Sequence, residues 1–205
     1  MKALLLLFTL AGWLAAQPLP SLPPLREQAR LQQQWLSRRL NDVLPALMRK
    51  HKVAMWIVMM REYNEDPVFH ALTSPTVFSA RRRTIYVFYD RGPGKIVERL
   101  ALGGGSNGGL YDSFRDPEHP GQELYFQAQL DTLRKVVEER NPAAIAVDIS
   151  TTHTFSDGLS SGERETLEAA LGPHWVARFV RAELLPVEYL DTRLPEMLPV
   201  YRDMM

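Results

Sequence analysis

The most distinctive hydrophobic pattern in this 205-residue chain is an unbroken run of seven apolar residues, Ala54, Met55, Trp56, Ile57, Val58, Met59 and Met60. A run of that length without a polar interruption predicts a strand covered on both faces, in the middle of a sheet. Residues 84–90, rich in Ile, Tyr, Val and Phe, predict a second strand. Residues 95–102 predict a third, and Glu98-Arg99 within it indicates an edge or half-exposed place. Arg91-Gly92-Pro93-Gly94 between these two is a turn, so they form an antiparallel hairpin. Residues 143–149 and 175–180 predict a fourth and a fifth strand.

Helical spacing fills the intervals. From residue 26 to 51, Leu36, Leu40, Val43, Leu44 and Leu47 recur at steps of three and four. Pro45 has no N–H and is expected to kink or split this helix. Residues 122–140 form an amphipathic helix with Phe126, Leu130, Leu133 and Val137 as its buried stripe, ended by Asn141-Pro142. Ser160 with Glu163 fits a capping box ahead of a helix whose core face is Leu167, Ala170 and Leu171, and Gly172-Pro173 stops it. The sum is an α/β domain over residues 26–190, a mixed five-stranded sheet flanked by helices.

The two ends read differently. Met1-Lys2, the apolar run 3–16 and the small residues Ala15 and Ala16 have the form of a signal peptide over 1–16. The mature chain is then exported, periplasmic or secreted, with no membrane segment. Residues 17–25, with Pro18, Pro20, Pro23 and Pro24, are a stiff spacer. At the other end, residues 191–205 place Leu194, Met197, Leu198, Tyr201 and Met205 at helical spacing with no stop signal. Such a stripe needs a cover, either its own domain or a further one.

Composition narrows the chemistry. Twenty-four basic residues balance twenty-four acidic ones, so no global field favours nucleic acid. The absence of cysteine removes disulfides and thiolate chemistry. Gly103, Gly105 and Gly108 match a dinucleotide-binding glycine pattern, but no helix follows directly, so the segment 103–121 reads as a flexible loop. Arg81, Arg82 and Arg83 form a basic cluster before a strand, suited to a carboxylate or phosphate. The five histidines, His51, His70, His119, His153 and His174, show no zinc-binding spacing. Residues 61–67 follow the most buried strand, where α/β sheets gather ligands. Arg61 there is a candidate for reaching a neighbouring site, while Asp66-Pro67 fits a helix cap with a first-turn proline. Asp148 and Asp157 follow the fourth strand. Carboxylate chemistry would require Asp66, Asp90, Asp148 and Asp157 to converge.

Arg61-Glu62-Tyr63-Asn64-Glu65-Asp66-Pro67 after a buried strand, Ser79-Ala80-Arg81-Arg82-Arg83-Thr84 before an aromatic one, Ala146-Val147-Asp148-Ile149-Ser150, and Phe155-Ser156-Asp157-Gly158-Leu159-Ser160 resemble, in that order, the amino-terminal domain of creatinase/prolidase-type proteins. Xaa-Pro aminopeptidases belong to this group. The resemblance implies a ribonuclease-H-like fold and a non-catalytic role, shaping substrate access and subunit contacts beside a pita-bread catalytic domain. Arg61, Asn64 and Asp66 are the residues it suggests for gating or subunit contact. It implies a dinuclear divalent metal centre, such as manganese, only in that catalytic domain, which would begin about where this sequence ends. No catalytic or metal-binding residue carries over. A homo-oligomer is a further expectation. A stand-alone binding domain, or a hydrolase with its own carboxylate site, remain the alternatives.

Overall fold

A computed structural model of the chain describes residues 22–116 and 119–204. The segment read as a signal peptide, most of the spacer and Met205 lie outside the described residues. The fold is α/β, with a mixed sheet of six strands among the described residues, in the order β4-β3-β2-β1-β5-β6. The strands are β1 (Met55–Met60), β2 (Thr84–Tyr89), β3 (Glu98–Leu102), β4 (Asp112–Phe114), β5 (Ile145–Val147) and β6 (Phe179–Arg181). β2 pairs antiparallel with β1 and β3, and every other pairing is parallel.

β1 is buried along its whole length and lies between β2 and β5. Its alternation divides the core in two. Trp56, Val58 and Met60 join Tyr86, Phe88 and Ala101 on one face. Met55, Ile57 and Met59 join Ile85, Val87, Leu100 and Leu102 on the other. Helices α1 (Leu25–Arg38), α2 (Leu44–Lys50) and α7 (Leu184–Asp191), with the short segment 39–43 between the first two, contribute Leu36, Leu40, Leu44, Met48, Leu185 and Tyr189 to the first face. Helices α4 (Phe126–Arg140) and α5 (Ser161–Leu171) contribute Leu133, Val136, Val137, Leu167 and Leu171 to the second. Short helices α3 (Phe69–Leu72) and α6 (Pro173–Val176) and a terminal α8 (Leu198–Met204) complete the chain.

The helix expected to kink or split at Pro45 stays continuous from Leu25 to Lys50, with a change of helix type just before the proline. Between α1 and α2 the backbone forms a π-helical segment, Arg39–Val43, in which Leu44 N donates to Arg39 O five residues back. Pro45 sits in the first turn of α2, where no N–H is required. The buried positions are Leu36, Leu40, Leu44 and Met48, at steps of four. On a regular helix each step of four drifts by about 40°. The wider π turn takes that drift back and keeps all four side chains on the sheet.

Three further expectations are corrected. The sheet has six strands rather than five, because the glycine-rich loop contains β4, which pairs with β3. Trp175 does not begin the last strand: Gly172 at φ +80 and Pro173 start the single turn α6, which turns Trp175 into the core before β6. Helix α4 starts at Phe126 rather than residue 122, and Phe126 points to solvent, 69 % exposed, while Gln129 takes a buried place.

Leu40→Ala removes a fully buried side chain from the π segment and is expected to cost about 2–5 kcal/mol. Asp42→Ala, exposed in the same segment, is expected to cost about 0.5 kcal/mol or less. Chemical denaturation of both variants checks this, and equal losses would contradict packing as the cause of the π turn.

Candidate functional site at the carboxyl edge of the sheet

Because only β2 runs against the others, β1, β3, β5 and β6 all leave the sheet at one edge. That edge collects the turn after β1, the arginines that lead into β2, and the loop from Asp148 to Ser160. Ligands of open α/β sheets gather at such edges.

The turn after β1 is tight. Arg61 and Asn64 form a bridge, with Asn64 N donating to Arg61 O at 3.0 Å. Tyr63 takes φ +66 and is 92 % exposed. Asn64 is exposed, and its side chain makes no hydrogen bond among the described residues. Asp66 turns inward. Its Oδ1 accepts from Val68 N at 3.0 Å and its carbonyl from Phe69 N at 2.9 Å, which starts the turn into α3. The helix cap expected from Asp66-Pro67 is not formed: α3 begins at Phe69 with Val68 as its N-cap and no side-chain cap, and Asp66 holds the turn that precedes it.

Asp66 does more than hold this turn. It is 2 % exposed, and it meets Asp148, 1 % exposed, at the end of β5. Asp148 Oδ1 accepts from Trp56 Nε1 at 2.6 Å. Asp66 Oδ2 and Asp148 Oδ2 are both buried without a donor from any other group. Two ionised carboxylates would offer only acceptors to each other, whereas one proton between them supplies the missing donor. Burial pushes the Asp66 carboxyl up to about 6. Burial, with the Asp66 charge beside it, pushes Asp148 well above the usual carboxylate range. Gly158 closes the pair from above: a Cβ there would lie 1.9 Å from Asp66 Oδ2 and 2.3 Å from its Cγ.

A second cluster lies beside it. Glu163, 2 % exposed, takes Arg83 Nε at 2.6 Å and Arg83 Nη2 at 3.0 Å. Arg61 Nε lies 3.1 Å from the same carboxylate. Only half of the expected capping box forms: Ser160 Oγ accepts from Glu163 N at 3.4 Å, and the Glu163 carboxylate goes to the arginines. Arg82 is exposed, lies 5.7 Å from the Tyr125 ring centroid, and makes no salt bridge among the described residues.

The other candidates separate. Asp90 is at the opposite edge, paired with Arg49 Nη2 at 2.8 Å. Asp157 Oδ1 is taken by Ser150 N at 3.1 Å. The four aspartates therefore do not converge; two of them do. The histidines scatter, and among the described residues no three His, Cys, Asp or Glu side chains are grouped to hold a metal ion. The glycine-rich segment is tied down rather than loose. Asn107 in it is 4 % exposed and accepts from Ser74 N at 2.9 Å, and a Cβ on Gly103 would lie 2.5 Å from Arg83 O.

The arrangement offers two capacities. The buried carboxyl pair holds a proton out of reach of solvent, and the arginine cluster offers guanidinium groups to an anion at the surface. Sequence reasoning did not single out Trp56 as a partner of Asp148, Glu163 as a partner of two arginines, or Gly158 as a lid. Ser160 spaced three before Glu163 was the one available signal, and it pointed to a cap. No protein-family model, curated protein or solved structure matches the chain.

Both carboxyls of the pair bind a proton more tightly folded than unfolded. The stability this contributes is complete below about pH 4, near their unfolded range, and is lost as pH rises through about 6 and beyond. Asp148→Asn keeps the acceptor for Trp56 and gives Asp66 an N–H donor. The wild type is therefore expected to lose stability relative to Asp148→Asn between pH 4 and 8, measured by urea denaturation; a constant difference would contradict the shared proton. Gly158→Ala is expected to cost about 1–3 kcal/mol through overpacking against Asp66, and an unchanged melting temperature would contradict the lid.

Proposed function

We propose that this chain is the amino-terminal, non-catalytic domain of an exported creatinase/prolidase-type metallopeptidase. In that role it shapes substrate access and subunit contacts beside a pita-bread catalytic domain. The observation that carries the reading is a mainly apolar groove, uncovered among the described residues, where the two described ends of the chain meet. Helix α1 is amphipathic, yet only Leu36 of it is buried. Leu31 and Trp35 are half-buried, and with Tyr201 and Met204 of α8 they line a cavity of about 310 Å³. Leu198 and Met204 are 48 % and 57 % exposed. Leu194 and Met197, by contrast, pack back on the domain. The terminal segment therefore divides: its first part belongs to this core, and its last helix offers apolar surface to something else.

Two further observations support the same reading. The strands β3-β2-β1-β5-β6, with β2 alone reversed, fit a ribonuclease-H-like sheet. The residues that carry the family resemblance lie together at its carboxyl edge, with Arg61 and Asn64 exposed for contact. Asp66 has a different place: it is buried and holds the edge together. Chemistry of the chain's own is disfavoured, because the carboxylate pair that does converge among the described residues, Asp66 with Asp148, is shut away from substrate. The described residues offer no grouped metal ligands, so a dinuclear centre, such as manganese, and the cleavage of Xaa-Pro peptides belong in this reading to the catalytic domain.

Purified chain is expected to show no turnover of Xaa-Pro peptides with Mn²⁺, and the natural gene is expected to continue in frame past the Met205 codon into a metal-ligand-bearing domain. Turnover by the isolated chain, or a stop codon there followed by unrelated sequence, would contradict the proposal. In the second case, a self-associating chain that becomes monomeric on Tyr201→Asp would point instead to a stand-alone interaction domain.

A further inference from the structure

At the carboxyl edge of the sheet, Arg61, Arg82, Arg83, Tyr125, Phe126 and Gln129 line a cavity of about 230 Å³. We propose that this cavity binds a carboxylate carried on an apolar residue with a neighbouring N–H, the chemistry of a peptide's carboxyl-terminal residue. The inference stands apart from the accessory-domain reading, since it uses only groups within this cavity.

Charge comes first. Three arginines line the cavity, and the buried Glu163 beside it neutralises one of their charges. Glu163 grips Arg83 with two short contacts and reaches Arg61 with one. Arg61 keeps half its side chain in solvent, 52 % exposed. Arg82 has no carboxylate partner among the described residues and is held over the Tyr125 ring. The nearby Glu123 is already occupied by Arg81 Nε and the Tyr125 hydroxyl, each at 3.1 Å. Arg61 and Arg82 thus leave an unbalanced positive surface, and planar guanidinium forks match a carboxylate.

The rest of the lining selects what carries the carboxylate. Gln129 is fully buried, and its Nε2 is fixed by Leu102 O at 2.6 Å and Arg83 O at 3.1 Å. Its Oε1 is buried without a donor, the kind of atom that needs an N–H partner or a water. Phe126 presents its ring to solvent, 69 % exposed, on a backbone at φ +50 that a bulky residue rarely adopts. Helix α4 begins there with no side-chain cap, so its first amides add a positive end to the same opening. The cavity is smaller than the ~300 Å³ or more usual for a drug-sized ligand. Its size suits a single amino-acid residue.

The test is titration of the full chain with N-acetyl-phenylalanine, followed by calorimetry or amide shifts in NMR. Saturable binding is expected, weakened on the order of tenfold by Arg82→Gln and less by Arg82→Lys; both substitutions are at an exposed side chain and leave the fold intact. N-acetyl-phenylalaninamide, which lacks the carboxylate, and 3-phenylpropionate, which lacks the N–H, are expected to bind more weakly. No saturable binding, equal binding of the amide, or unchanged affinity in Arg82→Gln would each overturn the proposal. Inorganic phosphate binding as tightly as N-acetyl-phenylalanine would also overturn it, by showing a plain anion site.

Discussion

Two buried carboxyl groups meeting at the end of neighbouring strands is the constraint on which this domain's edge depends. Asp66 comes from the turn after the central strand and Asp148 from the end of the neighbouring strand, and both are almost fully buried. Removed from solvent as two anions, they would repel each other at short range and each would keep an unpaired acceptor. Sharing one proton converts the contact into a hydrogen bond. The same atoms then organise what surrounds them. Asp66 starts the turn into α3 through Val68 N, and Asp148 fixes the indole of Trp56 inside the core. Gly158 is the residue that lets the loop after β5 lie directly on the pair.

With that edge fixed, its polar surface follows. Arg61 leaves the sheet immediately after six buried residues and finds the buried Glu163, which Arg83 already holds. A buried carboxylate with one tightly bound arginine and one half-exposed arginine is anchored more than it is stabilising. Its effect is to set guanidinium groups at a defined place beside Tyr125 and Phe126. Between α1 and α8 lies an opening of a different kind, lined mainly by apolar side chains with Asp203 among them. One domain thus carries a mainly apolar groove and an arginine-lined cavity on separate elements.

Much of the fold was legible because its signals are local. The run through Trp56 and Met60 marked a central strand, the turn at Gly92 and Gly94 marked the hairpin, and Pro45 marked the change of helix type between α1 and α2. What escaped depends on distant partners. Three residues, Asp112–Phe114, become a strand only because β3 lies open beside them. Phe126 reads as core at helical spacing, yet the helix starts at that residue and turns it outward, while a glutamine fills the buried place. The candidate site was half legible. Arg61 and Asp66 stood out by their position after a buried strand. Asp148 was legible only as one of four aspartates that would have to converge, and Glu163 only as half of a capping box, since a long sequence separation hides which contact the sheet brings about.

The shared proton between Asp66 and Asp148 can be observed directly by following the carboxyl carbon shifts of both residues with pH in ¹³C-labelled protein. One carboxyl is expected to remain protonated through neutral pH, with the pair titrating above the ordinary aspartate range and Asp148→Asn removing that behaviour. Two independent titrations near pH 4, the range of free aspartate, would show that no proton is held there and would contradict the account.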